Sequence, residues 1–149
     1  MTTGKKGIDL IKKYEGISLK PYLCPANIPT IGYGSTIYPD GTKVSMKDAP
    51  ITKDRAEEIL KFVLTTFERA VNKLVTVPIT QNQFDALVSF TYNVGGVHLA
   101  DSTLLKMLNN GDYAGASEQF GRWAKSAGKT LPGLVARRGS EKELFNTKS

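Results

Sequence analysis

The spacing of apolar residues changes twice along the chain, near residue 16 and again near residue 52. Over residues 5–15, KKGIDLIKKYE, the side chains of Ile8, Ile11 and Glu15 share one face at helical spacing. Gly16 ends that helix. Residues 17–46 are rich in Gly, Pro, Thr, Ile and Tyr and predict short strands and turns, with Asp40-Gly41 in STIYPDGTKV marking a hairpin. Thr52 is a candidate N-cap. Behind it Ala56, Ile59, Leu60, Val63, Phe67, Val71 and Leu74 form a stripe long enough for a helix of about 30 Å. Pro78 ends the stripe. Thr80 and Gln83 match a capping box, followed by the stripe Phe84, Leu87, Val88 and Tyr92 and a stop at Gly95-Gly96. Three further helices are expected over 102–110, 112–124 and 132–145.

Strands early and helices late predict an α+β fold. Its parts are a small lobe with a short antiparallel sheet and a larger helical lobe, joined by a long helix. No repeat or low-complexity linker divides the chain. The expectation is one domain over residues 1–149, with the small lobe at about 15–55 and the helical lobe at about 75–149 plus the N-terminal helix.

Composition narrows the function classes. At 149 residues, 40% hydrophobic and 23% charged, the chain has the make-up of a soluble globular protein. No apolar run approaches the roughly 20 residues of a membrane span. The start, MTTGKKGIDLIKKYEG, lacks the apolar core of a signal peptide, so a cytoplasmic protein without an anchor is expected. One cysteine cannot form an intramolecular disulfide, which fits a reducing compartment. With one Cys and one His, a zinc site of those ligands is excluded, and no phosphate-binding glycine loop occurs. No cofactor is expected. The net charge of +6 favours an anionic partner such as an acidic polymer, although the basic residues are scattered rather than clustered.

The candidate chemistry lies in YEGISLKPYLCPANIPTIGYG, residues 14–34, where Glu15, Cys24 and Thr30 follow the spacing E-x8-C-x5-T. Glu15 sits on the inward stripe and in the last turn of its helix. Partial burial and the negative helix end both disfavour the carboxylate and favour a protonated general acid. An arginine partner would oppose them. Glycosidic cleavage needs such an acid and a second group across the bond, commonly a carboxylate. No Asp or Glu follows Glu15 until Asp40, and Cys24 stands between them. Its thiolate is a candidate base or nucleophile if a neighbour such as Lys20 lowers its pKa; otherwise Cys24 is a small buried side chain. Thr30 is a candidate to hold a water or orient the acid.

This pattern, with TIGYG containing the threonine, resembles the phage-type lysozymes, the endolysins of glycoside hydrolase family 24, whose triad is E-x8-(D or C)-x5-T. Three more segments are similar to that family: QNQFDALVSFTYNVG (81–95), STLLKMLNNGDYAGASEQFGRW (102–123) and LPGLVARRGSEKELF (131–145). The resemblance covers nearly the whole chain in order and spacing. It implies a lysozyme-like fold and hydrolysis of the β-1,4 bond between N-acetylmuramic acid and N-acetylglucosamine in peptidoglycan.

Under that resemblance Glu15 would protonate the leaving oxygen and Thr30 would position water or the acid. Cys24 would occupy the place where many relatives have aspartate, and the cysteine form also occurs in the family. Tyr92 and Asn93 would line the cleft and contact N-acetyl groups, with Gln119 a further sugar contact. Arg137, with Arg138 as its rival, falls where similar lysozymes pair an arginine with the catalytic glutamate. Phe120 and Trp123 are read as core, and His98 as surface in a loop. The expected partner is bacterial peptidoglycan, with no nucleic acid, no stable membrane insertion and a monomeric state. A lytic transglycosylase using Glu15 alone, or a non-enzymatic wall-binding protein, are the alternative readings.

Overall fold

The structure, a computed structural model, describes residues 1–148. Helix α1 (Lys5–Glu15) leads into a two-stranded antiparallel sheet, β1 (Ser18–Leu23) and β2 (Pro29–Gly32). The long helix α2 (Lys53–Leu74) follows, then α3 (Gln81–Val94), α4 (Gly96–Asp101), α5 (Thr103–Asn109) and α6 (Tyr113–Gln119). A 3-10 turn (Phe120–Trp123), a small hairpin of β3 (Lys125–Ser126) and β4 (Lys129–Thr130), and α7 (Pro132–Asn146) complete the chain. The fold is thus helical with small antiparallel sheets, as the pattern predicted. Two compact units contain these elements: Ile11–Thr66, and Met1–Leu10 with the described residues from Phe67 onward.

In the unit Ile11–Thr66, Gly16 adopts a φ of 68°, which ends α1 and turns the chain into β1. Strand β1 pairs through Tyr22 opposite Thr30 and Leu23 opposite Pro29, with an irregularity between Ser18 and Tyr22. Pro21, which has no N–H to give a ladder, falls inside that irregular stretch. Asp40-Gly41 does turn the chain, with Gly41 at φ 87°, but the arms meet only in the isolated bridge Ile37–Lys43. Thr52 caps α2, its hydroxyl accepting from the Arg55 N–H at 3.1 Å. Ala56, Ile59, Leu60 and Leu64 of α2 are buried. Gly32 adopts a φ of 67°, which favours glycine, and lies beside Ala56 of α2.

In the other unit α3 is central. The expected capping box of Thr80 and Gln83 is present. The expected apolar stripe is wider than predicted, because every residue from Phe84 to Thr91 is buried. The polar members of that run have partners. The Thr91 hydroxyl donates to the Leu87 carbonyl at 2.6 Å, and the Ser89 hydroxyl donates to Glu141 at 2.6 Å. Asp85 serves the chain start: its carboxylate accepts from the Gly4 N–H at 2.9 Å and the Gly7 N–H at 3.2 Å. These are first-turn donors of α1 that no helix carbonyl can satisfy. Gly7 must be glycine for this, since a Cβ there would lie 2.8 Å from that of Asp85. Around α3 pack Leu99, Leu104, Leu108, Phe120 and Phe145, all buried. Phe90 meets Phe120 and Trp123 edge-on, with both centroids 5.5 Å away.

Two elements were not expected. The stretch after Gly95 continues as α4 rather than as a loop, so His98 is helical. The hairpin β3–β4 turns through Ala127 and Gly128, both at positive φ, a conformation that Ala does not advertise in sequence.

Asp85→Ala would leave the Gly4 and Gly7 N–H groups without their buried acceptor. The expected loss is about 2–3 kcal/mol, read as a lower urea midpoint at unchanged slope, with Asp85→Asn losing less.

Candidate active site

Glu15 is the last residue of α1 and is half-buried. Gly16, Ile17, Ser18 and Tyr22 join it around a cavity of about 250 Å³. Its own helix leads it there, and the turn at Gly16 folds β1 back beside it. Tyr22 is the residue that sequence reasoning missed. Its phenol is pushed up from the usual value, first by burial, then by the negative charges of Glu15 and Cys24. Tyr22 lies opposite Thr30 in the sheet. The signal was present in part: Tyr22 stands in β1 only two residues before Cys24.

Cys24 begins the turn between the strands and is half-buried. Its N–H donates to the Ile28 carbonyl at 3.1 Å, and its carbonyl accepts from Asn27 at 2.7 Å, with Asn27 at φ 63°. The turn thereby gathers donors around the sulfur. The thiol is held below the usual thiol range, chiefly by the Ile28 backbone, with Ala26, Thr30 and its own backbone adding to the effect and burial opposing it. Lys20, the expected cause, plays no part in that set. Backbone donors converging on one atom make a site for negative charge. Thr30 is 2% exposed and donates its hydroxyl proton to the Ile28 carbonyl at 2.9 Å. A hydroxyl has one proton, so turning it toward a Cys24 thiolate releases that carbonyl.

The remaining candidates lie in the helical unit. Tyr92 is half-buried and packs edge-on against Phe67 at 5.2 Å. Asn93 is exposed and lines a groove of about 430 Å³ with His98, Trp123 and Lys125. Phe120 is core as expected, whereas Trp123 is only half-buried and forms part of that groove. Gln119 is buried at the end of α6 and is not part of the groove lining.

Arg137 and Arg138 are both buried, beside the fully buried Glu141. Arg137 donates to the Ser89 carbonyl at 3.0 Å and to Glu141 at 3.3 Å. Arg138 meets Glu141 at 2.8 Å and donates to Asn93 Oδ1 at 2.9 Å. Burial pushes the Glu141 carboxyl up from the usual range, against Arg138, the Ser89 hydroxyl and Arg137. Burial likewise pushes the Arg138 guanidinium down, against Glu141 and assisted by Arg137.

Comparison with known proteins decides the family. The family model described as phage lysozyme matches residues 12–141. The chain belongs to the phage lysozyme family. It is 43% identical over 151 aligned positions to the endolysin of Acyrthosiphon pisum secondary endosymbiont phage 1, covering 99% of both chains. Among solved structures it superposes on the endolysin from Escherichia coli O157:H7 phage FAHEc1 with a TM-score of 0.90. The two are 43% identical, with 98% of this chain and 94% of that one covered. The muramidase domain of SpmX from Asticaccaulis excentricus gives a TM-score of 0.87 at 36% identity, with 99% of each chain covered. As a phage lysozyme the chain is a glycoside hydrolase by class. Among the described residues no helix is long and apolar enough to cross a membrane.

The state of Cys24 is directly measurable. A depressed folded pKa means that thiolate forms at lower pH in the folded chain than in the unfolded one. The iodoacetamide rate should therefore rise with pH around a midpoint below that of the urea-unfolded protein, and Thr30→Val should move the folded midpoint upward. Equal midpoints in folded and unfolded protein would contradict the hydrogen-bonded thiolate.

Proposed function

We propose that this phage lysozyme is an endolysin that hydrolyses the β-1,4 bond between N-acetylmuramic acid and N-acetylglucosamine in peptidoglycan, lysing the host cell. The observation that carries the reading is the placement of Glu15. It ends α1, half-buried on a cavity wall, next to a strand pair that supplies Tyr22, Cys24 and Thr30. A carboxyl group so placed donates its proton to the leaving glycosidic oxygen. As the bond breaks, positive charge builds on the sugar ring. The Cys24 thiolate, sustained by the turn's donors, is the nearby negative group that stabilises this charge or receives the proton of the attacking water. Thr30 accepts a hydrogen bond from that water. Tyr22 keeps its phenol protonated beside two acids and borders the space for the sugar.

Peptidoglycan is an anionic polymer, and the +6 charge of the chain suits it. The protein acts as a monomer without nucleic acid or stable membrane insertion. It waits in the host cytoplasm until another protein opens the membrane. One further reading, a lytic transglycosylase, draws on the absence of a second carboxylate from the motif. That enzyme would use Glu15 alone and leave anhydro ends.

Mass spectrometry of products from purified peptidoglycan separates these readings: hydrated reducing ends on muramic acid are expected. Glu15→Gln should lower the rate by about 100-fold or more in a protein with an unchanged melting temperature. Anhydro ends would instead assign the transglycosylase, and no release by folded protein would leave only wall binding.

Cys24→Asp should retain activity because a carboxylate fills the same charge role. Cys24→Ser, which cannot ionise at working pH, should lose more of the rate. A fully active serine variant would remove Cys24 from the chemistry.

A further inference from the structure

The wall around Glu15 holds one uncommitted side-chain donor. Gly16, Ile17, Ser18 and Tyr22 line the cavity of about 250 Å³ with Glu15. Of these neighbours only Ser18 and Tyr22 carry a side-chain proton to share. The Ser18 hydroxyl gives its proton to the Lys20 carbonyl at 2.7 Å. The Tyr22 phenol is left. It is 36% exposed, so a sugar entering the cavity meets it.

The strand that carries Tyr22 is held at several points. The Ile51 N–H donates to the Leu19 carbonyl at 2.8 Å, and the ladder pairs Tyr22 with Thr30 and Leu23 with Pro29. Residues opposite each other in an antiparallel pair carry their side chains on the same face. Tyr22 therefore shares its face of the sheet with Thr30 while it lines the cavity with Glu15. The negative charges of Glu15 and Cys24 both reach the phenol and, after burial, push it up from the usual value. One hydroxyl that stays protonated thus stands within electrostatic reach of two acids.

Glycosidic cleavage at this wall creates a second negative charge. As the Glu15 O–H bond breaks, its proton goes to the leaving glycosidic oxygen and the electron pair stays on the carboxylate. The leaving oxygen keeps the electron pair of the broken C–O bond. Glu15 becomes negative in the same site as the Cys24 thiolate, and like charges oppose each other. A neutral O–H donor placed where the new charge appears offsets that repulsion.

We propose that Tyr22 is a positioning residue whose hydroxyl donates to the Glu15 carboxylate as its charge forms, easing release of the proton to the leaving oxygen. This rests on the muramidase reading above. Tyr22 acts through Glu15.

The test uses the full-length protein and a soluble peptidoglycan glycan strand, with kcat and KM measured separately. Tyr22→Phe keeps the ring and removes the O–H. It should keep its melting temperature and lower kcat about tenfold, the equivalent of one lost hydrogen bond, with little change in KM. Tyr22→Leu removes the ring as well. If Tyr22→Phe keeps full kcat and only Tyr22→Leu raises KM, Tyr22 is a passive wall and the proposal is overturned. A second readout needs no turnover. The phenol carbon of Tyr22 in 13C-tyrosine-labelled protein, identified by its loss in Tyr22→Phe, titrates with the hydroxyl. Glu15→Gln should move that midpoint to lower pH, because a neutral amide no longer opposes the phenolate. A midpoint that stays in place in folded Glu15→Gln would reject the coupling and the proposal with it. A wild-type protein that releases nothing from the strand removes the muramidase reading and the proposal together, whereas normal turnover in both wild type and Tyr22→Phe removes the proposal alone.

Discussion

The carboxylate of Asp85 is the contact on which the start of α1 depends. It is buried in the middle of α3 yet spends its two oxygens on the first N–H groups of a helix nearly 80 residues earlier in sequence. Helix N-termini carry unmet donors and partial positive charge, so a carboxylate there satisfies both needs at once. α1 has no acidic residue in its own first turn. Its start is therefore fixed from outside, by α3. The glycines at positions 4 and 7 are the cost of the arrangement: they are poor helix formers, and the space Asp85 occupies admits nothing larger at Gly7.

A second constraint governs the strand pair. The chain offers one carboxylate and one thiol where glycoside hydrolysis commonly uses two carboxylates. A thiol is the weaker acid, and the hairpin turn compensates. The backbone from Cys24 to Ile28 is bent so that amide donors face the sulfur, with Asn27 taking the left-handed conformation that the bend requires. The lowering comes mainly from backbone groups, chiefly Ile28, with the Thr30 side chain adding to it.

The helical unit applies the same economy to buried polar groups. α3 is covered on all sides, so each of its polar side chains needs a partner inside the protein. Asp85 finds backbone donors, Thr91 a helix carbonyl, and Ser89 the Glu141 carboxylate. Two arginines beside one glutamate leave excess donors in the core, and one of them reaches Asn93 at the edge of the groove. Satisfying the interior and orienting a surface amide are here a single network.

The sequence by itself determined the elements and the local motif. Helical spacing, capping residues and turn glycines act over a few residues, so α1, α2, α3 and their ends were legible, and so was the placing of Glu15 at a helix terminus with Cys24 and Thr30 just beyond it. The resemblance of the quoted segments to phage lysozymes supplied the fold and the class of reaction. Tertiary structure decided what spacing cannot encode. It showed that α3 is buried all round from Phe84 to Thr91, that backbone groups rather than Lys20 lower the Cys24 thiol, that Trp123 borders a groove, and that Arg138 turns to Asn93 across 45 positions of chain. Each of these depends on which groups meet when distant segments pack or on the φ of a single turn residue. Hydrophobic periodicity reports which face of an element is covered; it carries no record of the partner that covers it or of the proton that partner donates.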